Sequence, residues 1–269
     1  MHGLSPVFAL LTDFGTADPY VGQMKAALLS RAPAVPILDI SHEVPPFSVP
    51  TGAFFLAASR KYCPKGTIFI AVVDPDVGSD RSLICVTGKD HILLGPDNGL
   101  LSLAYHDMAK EGTVTAYRLA ITDDSSACTF HGRDILAPAA ARLAKGTPPF
   151  ELGEPLRSPL TLPVWAEAEV SLVRFGITIL HVDRFGNCIT NLPNSQPLFP
   201  GKSVIFERAR GEKTLLRKAS HYAELDRVHF GIIPGGQGFY EISGYASSAS
   251  EAMEIFSGDI GRIFPVQEP

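Results

Sequence analysis

Apolar residues in the first half of the chain fall into short blocks that alternate between two periods. Residues 7–12 form one apolar run that ends at the polar turn Asp13-Phe14-Gly15, the pattern of a buried strand. Residues 20–31 follow with helical spacing, carried by Val21, Met24, Ala27 and Leu28. The alternation continues with a strand over 35–40, a helix over 51–62 and a continuous apolar strand over 67–73. Residues 83–87 and 91–94 read as a strand pair joined by the tight turn Gly88-Lys89-Asp90. An Ala-rich helix is expected over 134–144, with Pro138 in its first turns, where proline is best tolerated. This order predicts an α/β domain with a mostly parallel sheet covered by helices.

The pattern then changes. Residues 145–163 hold Pro148, Pro149, Pro155, Pro159 and Pro163, a density that breaks regular structure and marks a linker or a surface excursion. Beyond Trp165 the apolar runs are short and strand-like: 176–182, 188–192, 203–206, 228–233 and 239–243. They predict a small all-β, barrel-like C-terminal domain. The expected organisation is an α/β domain over 1–150, a Pro-rich linker over 151–165 and a β-domain over 166–269.

Composition narrows the classes of function. Charged residues make up 19% of the 269, below the usual ~25%, which favours a large core or an oligomer interface. The net charge of −5 leaves no basic field for phosphates, so nucleic acid is not an expected partner. No run approaches the ~18 apolar residues of a membrane span. The start of the chain lacks the basic-then-apolar pattern of a signal peptide. The cysteines, at 63, 85, 128 and 188, are scattered singly, which suggests neither a zinc cage nor a disulfide framework. A reduced, cytoplasmic setting is expected.

Carboxylates recur at the carboxyl ends of the predicted strands: Asp13 after the first, Asp39 at the second, Asp74 and Asp76 after the third. Open α/β sheets bind ligands there. Asp74 and Arg81 could meet across a pocket or close a surface loop as an ion pair. His131, in Thr129-Phe130-His131-Gly132-Arg133-Asp134, stands at a helix start where Gly132 permits close backbone approach. Asp76, His131 and Asp134 could instead suggest a metal site, but no HxH or HxxxH spacing supplies a second nitrogen ligand. Gly95-Pro96-Asp97-Asn98-Gly99 reads as a plain turn, and Asp183-Arg184-Phe185-Gly186-Asn187 as a hairpin turn carrying an exposed aromatic. Gly235-Gly236-Gln237-Gly238 precedes a strand and fails the context of a phosphate cradle.

In order, Leu11-Thr12-Asp13-Phe14-Gly15, Val73-Asp74-Pro75-Asp76-Val77-Gly78 with Arg81, Gly95-Pro96-Asp97-Asn98-Gly99, the segment around His131 and Asp183-Arg184-Phe185-Gly186-Asn187 resemble the signature segments of the SAM hydroxide adenosyltransferases, relatives of the SAM-dependent fluorinase and chlorinase. The resemblance implies a hydrolase that converts S-adenosyl-L-methionine (SAM) to adenosine and L-methionine without a cofactor or metal. It implies a homotrimer with SAM at the subunit interfaces. The family's catalytic triad falls on Asp74, Arg81 and His131, and its ribose carboxylate on Asp13. The aromatic that covers the ligand falls on Phe47, the residue that holds the methionine amine on Asp183, and the adenine contacts on Phe185 and Asn187. Thr129, Gly132, Gly236 and Ala246 complete the implied substrate contacts. The fluorinase carries Tyr at the positions of Asp74 and His131, and a carboxylate beside an attacking halide is unfavourable because like charges repel. Two departures stand out: Asp76 replaces a glycine, and Gly235-Gly236 replaces an Asn-Ser type pair.

Overall fold

In the computed structural model, residues 6–120, 129–156 and 163–266 are described. The chain divides into two compact units, Met1–Leu162 and Pro163–Pro269.

The first unit runs β1 (Val7–Thr12), α1 (Tyr20–Leu29), β2 (Ile37–Ser41), α2 (Val49–Arg60), β3 (Thr67–Val72), β4 (Leu83–Thr87), β5 (Ile92–Pro96), α3 (Ser102–Glu111), β6 (Thr115–Leu119), α4 (Ala137–Ala144) and β7 (Gly153–Pro155). Its sheet has the order β2-β1-β3-β5-β4-β6-β7. The β1–β2, β1–β3 and β3–β5 ladders are parallel, and β4 and β7 run against the other strands. Phe8 and Leu10 of β1 and Ile68 and Ile70 of β3 pack into one core with Met24 and Leu28 of α1 and the alanines of α4. Ala9, Leu11, Phe69 and Ala71, which alternate with them, are equally buried. Both faces are therefore covered, and this is why β1 and β3 read as continuous apolar runs rather than alternating ones. From β1 the chain steps to β2 on one side, then returns to β3 on the other. That reversal is the topological switch point, and it opens a crevice beyond the carboxyl ends of β1 and β3.

Up to residue 156, the described part of the Pro-rich stretch is more ordered than expected. Pro149–Glu151 forms a 3₁₀ turn and Gly153–Pro155 pairs with β6 as an edge strand. Proline is tolerated there because an edge strand needs only one side of its backbone for the ladder.

The second unit runs β8 (Glu169–Val170), β9 (Phe175–Val182), β10 (Cys188–Pro193), β11 (Ser203–Arg208), β12 (Lys213–Lys218), β13 (Gly231–Pro234), β14 (Phe239–Ser243), α5 (Ala249–Met253) and β15 (Ile260–Pro265). The order β10-β14-β13-β12-β11-β15-β9 closes on itself through the β10–β9 pairing, with β8 attached to β9. The result is a seven-stranded barrel. Phe175, Ile177 and Ile179 of β9 point inward with Val204, Phe206, Leu216, Ile232, Ile242 and Ile263. Closure leaves no free sheet edge in the barrel wall.

Candidate active site

Asp74 follows β3 and Arg81 precedes β4, so one loop carries both. Their side chains meet in a fork: Arg81 Nε donates to Asp74 Oδ1 at 2.5 Å and Arg81 Nη2 pairs with Asp74 Oδ2. Both side chains are buried, 3% exposed for Asp74 and 8% for Arg81. Arg81 Nη2 also lies 2.9 Å from His131 Nδ1. A guanidinium only donates, so Nδ1 accepts and the proton of the neutral ring sits on Nε2. Burial first, and the neighbouring Arg81 charge second, hold the His131 pKa below the ordinary histidine value. The imidazole is therefore neutral near pH 7, with an Nε2–H that makes no hydrogen bond among the described residues.

The ends of the 74–81 loop are pinned from β5. Asn98 Nδ2 donates to the carbonyl of Val73 at 2.9 Å, and the Asp97 N–H donates to the carbonyl of Ser82 at 2.9 Å. Asn98 Oδ1 accepts from the Leu100 N–H at 3.1 Å. The Gly95–Gly99 segment is thus more than a turn: it sets the spacing between the acid and the guanidinium. Asp76 lies on the exposed part of the loop, where its carbonyl accepts from Ser79.

Asp13 follows β1 and its Oδ2 accepts from the Phe47 N–H at 2.9 Å. Burial raises its pKa, the Phe47 bond opposes this, and the nearby Asp74 charge adds to it. Phe47 takes a left-handed backbone (φ 66°) and is 68% exposed as a residue. A non-glycine residue in that region costs of order 1–3 kcal/mol and persists where its surroundings demand it. The Gly15 N–H donates to the carbonyl of His42 at 2.8 Å and ties the Asp13 turn to the end of β2.

His131 caps a π turn, Gly132–Leu136, which runs directly into α4. The Ala137 N–H reaches back five residues to the Gly132 carbonyl. A Cβ at Gly132 would stand 3.0 Å from Met24 Sδ, so glycine seats this turn closely against α1, and a larger residue would press Met24 aside by a few tenths of an ångström. Thr129 is exposed just before it. Both Asp134 oxygens are held by Arg133, at 2.6 and 2.7 Å. No group of three or more His, Cys, Asp or Glu side chains among the described residues is arranged to hold a metal ion.

In the barrel unit a cleft of about 500 Å³ is lined by Asp183, Phe185, Asn187, Tyr222 and residues 244–248. Asp183 organises its own loop. Its Oδ1 accepts from the N–H groups of Phe185 and Asn187, both at 2.9 Å, and its Oδ2 accepts from Asn187 Nδ2 at 2.8 Å. A carboxylate has about four acceptor sites, so roughly one remains for a ligand. Phe185 is 77% exposed, and Ala246 has a left-handed backbone (φ 50°). Gly236 lies outside this lining, with open space where its Cβ would be.

Residues 8–153 match the SAM hydroxide adenosyltransferase N-terminal domain, and residues 177–261 match the corresponding C-terminal domain. The chain belongs to the SAM hydroxide adenosyltransferase family. Proteins named (R)-S-adenosyl-L-methionine hydrolase from Thermus thermophilus and Methanocaldococcus jannaschii are 34% and 31% identical to it. These matches cover 95% of this chain and 98% of the Thermus protein, and 93% and 92% for the Methanocaldococcus pair. A protein named fluorinase from an Actinoplanes species is 28% identical, over 70% of this chain and 72% of that protein. A crystal structure of an uncharacterised conserved protein from Thermotoga maritima superposes with a TM-score of 0.81 at 30% identity, covering 96% of this chain and all of the other.

Within this hydroxide adenosyltransferase, Asp74, Arg81 and His131 come together in the first unit, with Asp13, Phe47, Thr129 and Gly132 placed on the same strand ends and turns. Asp183, Phe185, Asn187 and Ala246 share the barrel cleft. Sequence reasoning missed Asn98, Tyr222 and Glu241. Asn98 could have been found, since an Asn after a buried strand can clamp a neighbouring loop. Tyr222 lies in a short 3₁₀ turn with no strand signal, and Glu241 alternates with the core residues Tyr240 and Ile242, so it lies on the outer face of β14, where a charged residue draws no notice.

Proposed function

We propose that the protein hydrolyses S-adenosyl-L-methionine, the (R)-sulfonium form in particular, to adenosine and L-methionine. The observation that carries this is the convergence of a buried acid, a guanidinium and a neutral imidazole beyond the carboxyl ends of β3 and β4's antiparallel start, with one N–H left unengaged. The names of relatives matched over nearly the whole chain supply the substrate and its (R) designation.

The leaving group needs no acid, because the sulfonium departs as a neutral thioether. The nucleophile needs help, since bulk water has a pKa near 15.7. One water sits between Asp74, Arg81 and His131. Arg81 donates to its oxygen, Asp74 takes its proton, and His131, whose Nδ1 accepts from Arg81, holds the guanidinium in place. The oxygen forms a bond to ribose C5′ in line with the C5′–S bond, whose electron pair leaves with sulfur. The net change is SAM plus water to adenosine, methionine and one proton. A hydroxide and a sulfonium cancel in this transition state, so a site that holds its donors fixed and excludes bulk water lowers the barrier. Asp13 binds the ribose diol, Phe47 covers it, and Thr129 and Gly132 contact the substrate. Asp183 holds the methionine amine, Phe185 and Asn187 the adenine, and Ala246 and the backbone at Gly236 the rest. The active form is a cytoplasmic homotrimer in which neighbouring subunits contribute the two sets of residues, and neither metal nor cofactor takes part.

Incubation with purified (R)- and (S)-SAM, with adenosine followed by chromatography, tests the reading. Adenosine forms faster from the (R) epimer, and chloride and EDTA leave the rate unchanged. Absence of adenosine from both epimers overturns it, and loss of turnover with EDTA replaces it with a metal-assisted reaction.

A further inference from the structure

Glu241 of β14 alternates with the core residues Tyr240 and Ile242 and so lies on the outer face of the barrel wall, yet it is only 6% exposed. Its described partner is a single hydroxyl, Tyr222 Oη, which donates to Oε2 at 2.8 Å. Burial pushes its pKa up, and the Tyr222 bond opposes this only in part while the Asp183 charge adds to it. A buried carboxylate with one neutral donor is an unfavourable way to fill a barrel wall, where an apolar residue would pack without that cost. The room for it is made by Gly235, at which a Cβ would collide with Glu241 Oε1 and Cγ. The glycine at this departure from the family pattern thus coincides with the placement of a buried acid. The other end of the hydrogen bond opens on the cleft, which Tyr222 lines with Asp183, Phe185 and Asn187. It stands in a three-residue 3₁₀ turn and is 43% exposed, so the turn by itself leaves the ring free to change rotamer.

We propose that Glu241 is a positioning residue for the substrate, which acts by fixing the Tyr222 ring as a wall of the barrel cleft. The proposal rests on the reading of that cleft as the place where SAM's nucleoside and amino-acid groups bind. Without the hydroxyl contact the ring samples several rotamers, and the ligand must order it on binding. The reacting atoms are untouched, so the effect falls on binding rather than on the chemical step.

The test uses the full chain and the variants Glu241→Ala, Glu241→Gln, Tyr222→Phe and the Glu241→Ala/Tyr222→Phe pair. Loss of one such hydrogen bond raises KM for (R)-SAM about tenfold in Glu241→Ala and in Tyr222→Phe, with kcat within about twofold. The double variant is no worse than either single one, since both remove the same contact. Glu241→Gln keeps an acceptor, stays within about threefold of the parent in KM, and melts no lower than the parent. Adenosine binding by calorimetry weakens in parallel, and this readout separates the proposal from the activity: a parent chain that binds adenosine but never turns over SAM fails as a hydrolase while Glu241 is still tested. An unchanged KM and adenosine affinity in Glu241→Ala and Tyr222→Phe, or effects that add in the double variant, overturn the proposal. So does a Glu241→Gln variant that melts lower with unaltered binding, which would make the acid structural.

Discussion

Two buried arginines of the α/β unit have the same kinds of partner and opposite characters. At the carboxyl ends of the strands Arg81 joins Asp74 and His131. At the other end of the sheet Arg60, 3% exposed, joins Glu111 at 2.6 and 3.0 Å and His91 Nδ1 at 3.2 Å. Each centre pairs a carboxylate, a guanidinium and an imidazole, and in each the histidine pKa is lowered by burial first and the arginine second. The difference lies in the remaining valence. His91 Nε2 lies 3.2 Å from the carbonyl of Pro64, so that triad is closed by the protein. His131 Nε2 has no such partner among the described residues, and the carboxylate beside it is nearly as buried as the strand core. The residue types alone do not distinguish a fastening from a reactive site. The N–H left over does.

The largest effect expected from this contrast is on turnover. His131→Ala lowers kcat for adenosine formation by about 10³-fold, in the usual range for groups that handle a proton or its developing charge, while the melting temperature stays within a few degrees. A variant with full activity would erase the distinction drawn here. Arg60→Ala works the other way. It leaves His91 and the half-exposed Glu111 without their donor and removes about 1–2 kcal/mol of stability, read by urea unfolding, with kcat unchanged. Loss of activity without loss of stability would show that the second triad is not a fastening.

The smallest effect is on pH, and it separates the two centres by sign and readout. Both histidines bind their proton less readily in the folded chain than the free side chain does. As pH falls below about 6.5 the unfolded chain takes up protons that the folded chain refuses, so stability declines until the folded pKa is passed and is flat below it. His91→Gln removes its share of that decline and leaves the pH profile of kcat in place. The acid limb of kcat, with a midpoint below the ordinary histidine value, follows His131, whose protonation sets a second cation against Arg81. A kcat profile that shifts in His91→Gln would assign the limb to the wrong centre.

Much of this architecture was legible from periodicity. The buried strands β1, β3 and β4 match their apolar runs at nearly every residue, because burial on both faces leaves no room for polar positions. The elements that escaped are those whose pattern is diluted. Helix α3 buries only Ser102, Leu103, Ala104 and Met108 among charged neighbours. Strand β12 has one fully buried residue, Leu216, between lysines and an arginine. In β15 the glycine at 261 packs on the Phe206 ring, a contact that no local rule foretells. The same holds for chemistry. Asp74, Arg81 and His131 were readable because they follow strands and a glycine turn in a known order. The Asn98 clamp and the Glu241–Tyr222 bond depend on which strands become neighbours, and the barrel closes only through the long-range β10–β14 and β15–β9 pairings.

The π turn after His131 carries one residue more than a regular helix would need. Each residue of an α-helix turns about 100° around the axis, so the same residues wound as an ordinary helix would swing the imidazole away from Arg81 by about that angle. The helix would gain in regularity and the enzyme would lose its ring. The histidine is thus not sufficient by itself: the wide turn that leads into α4 is what aims its ring at the guanidinium.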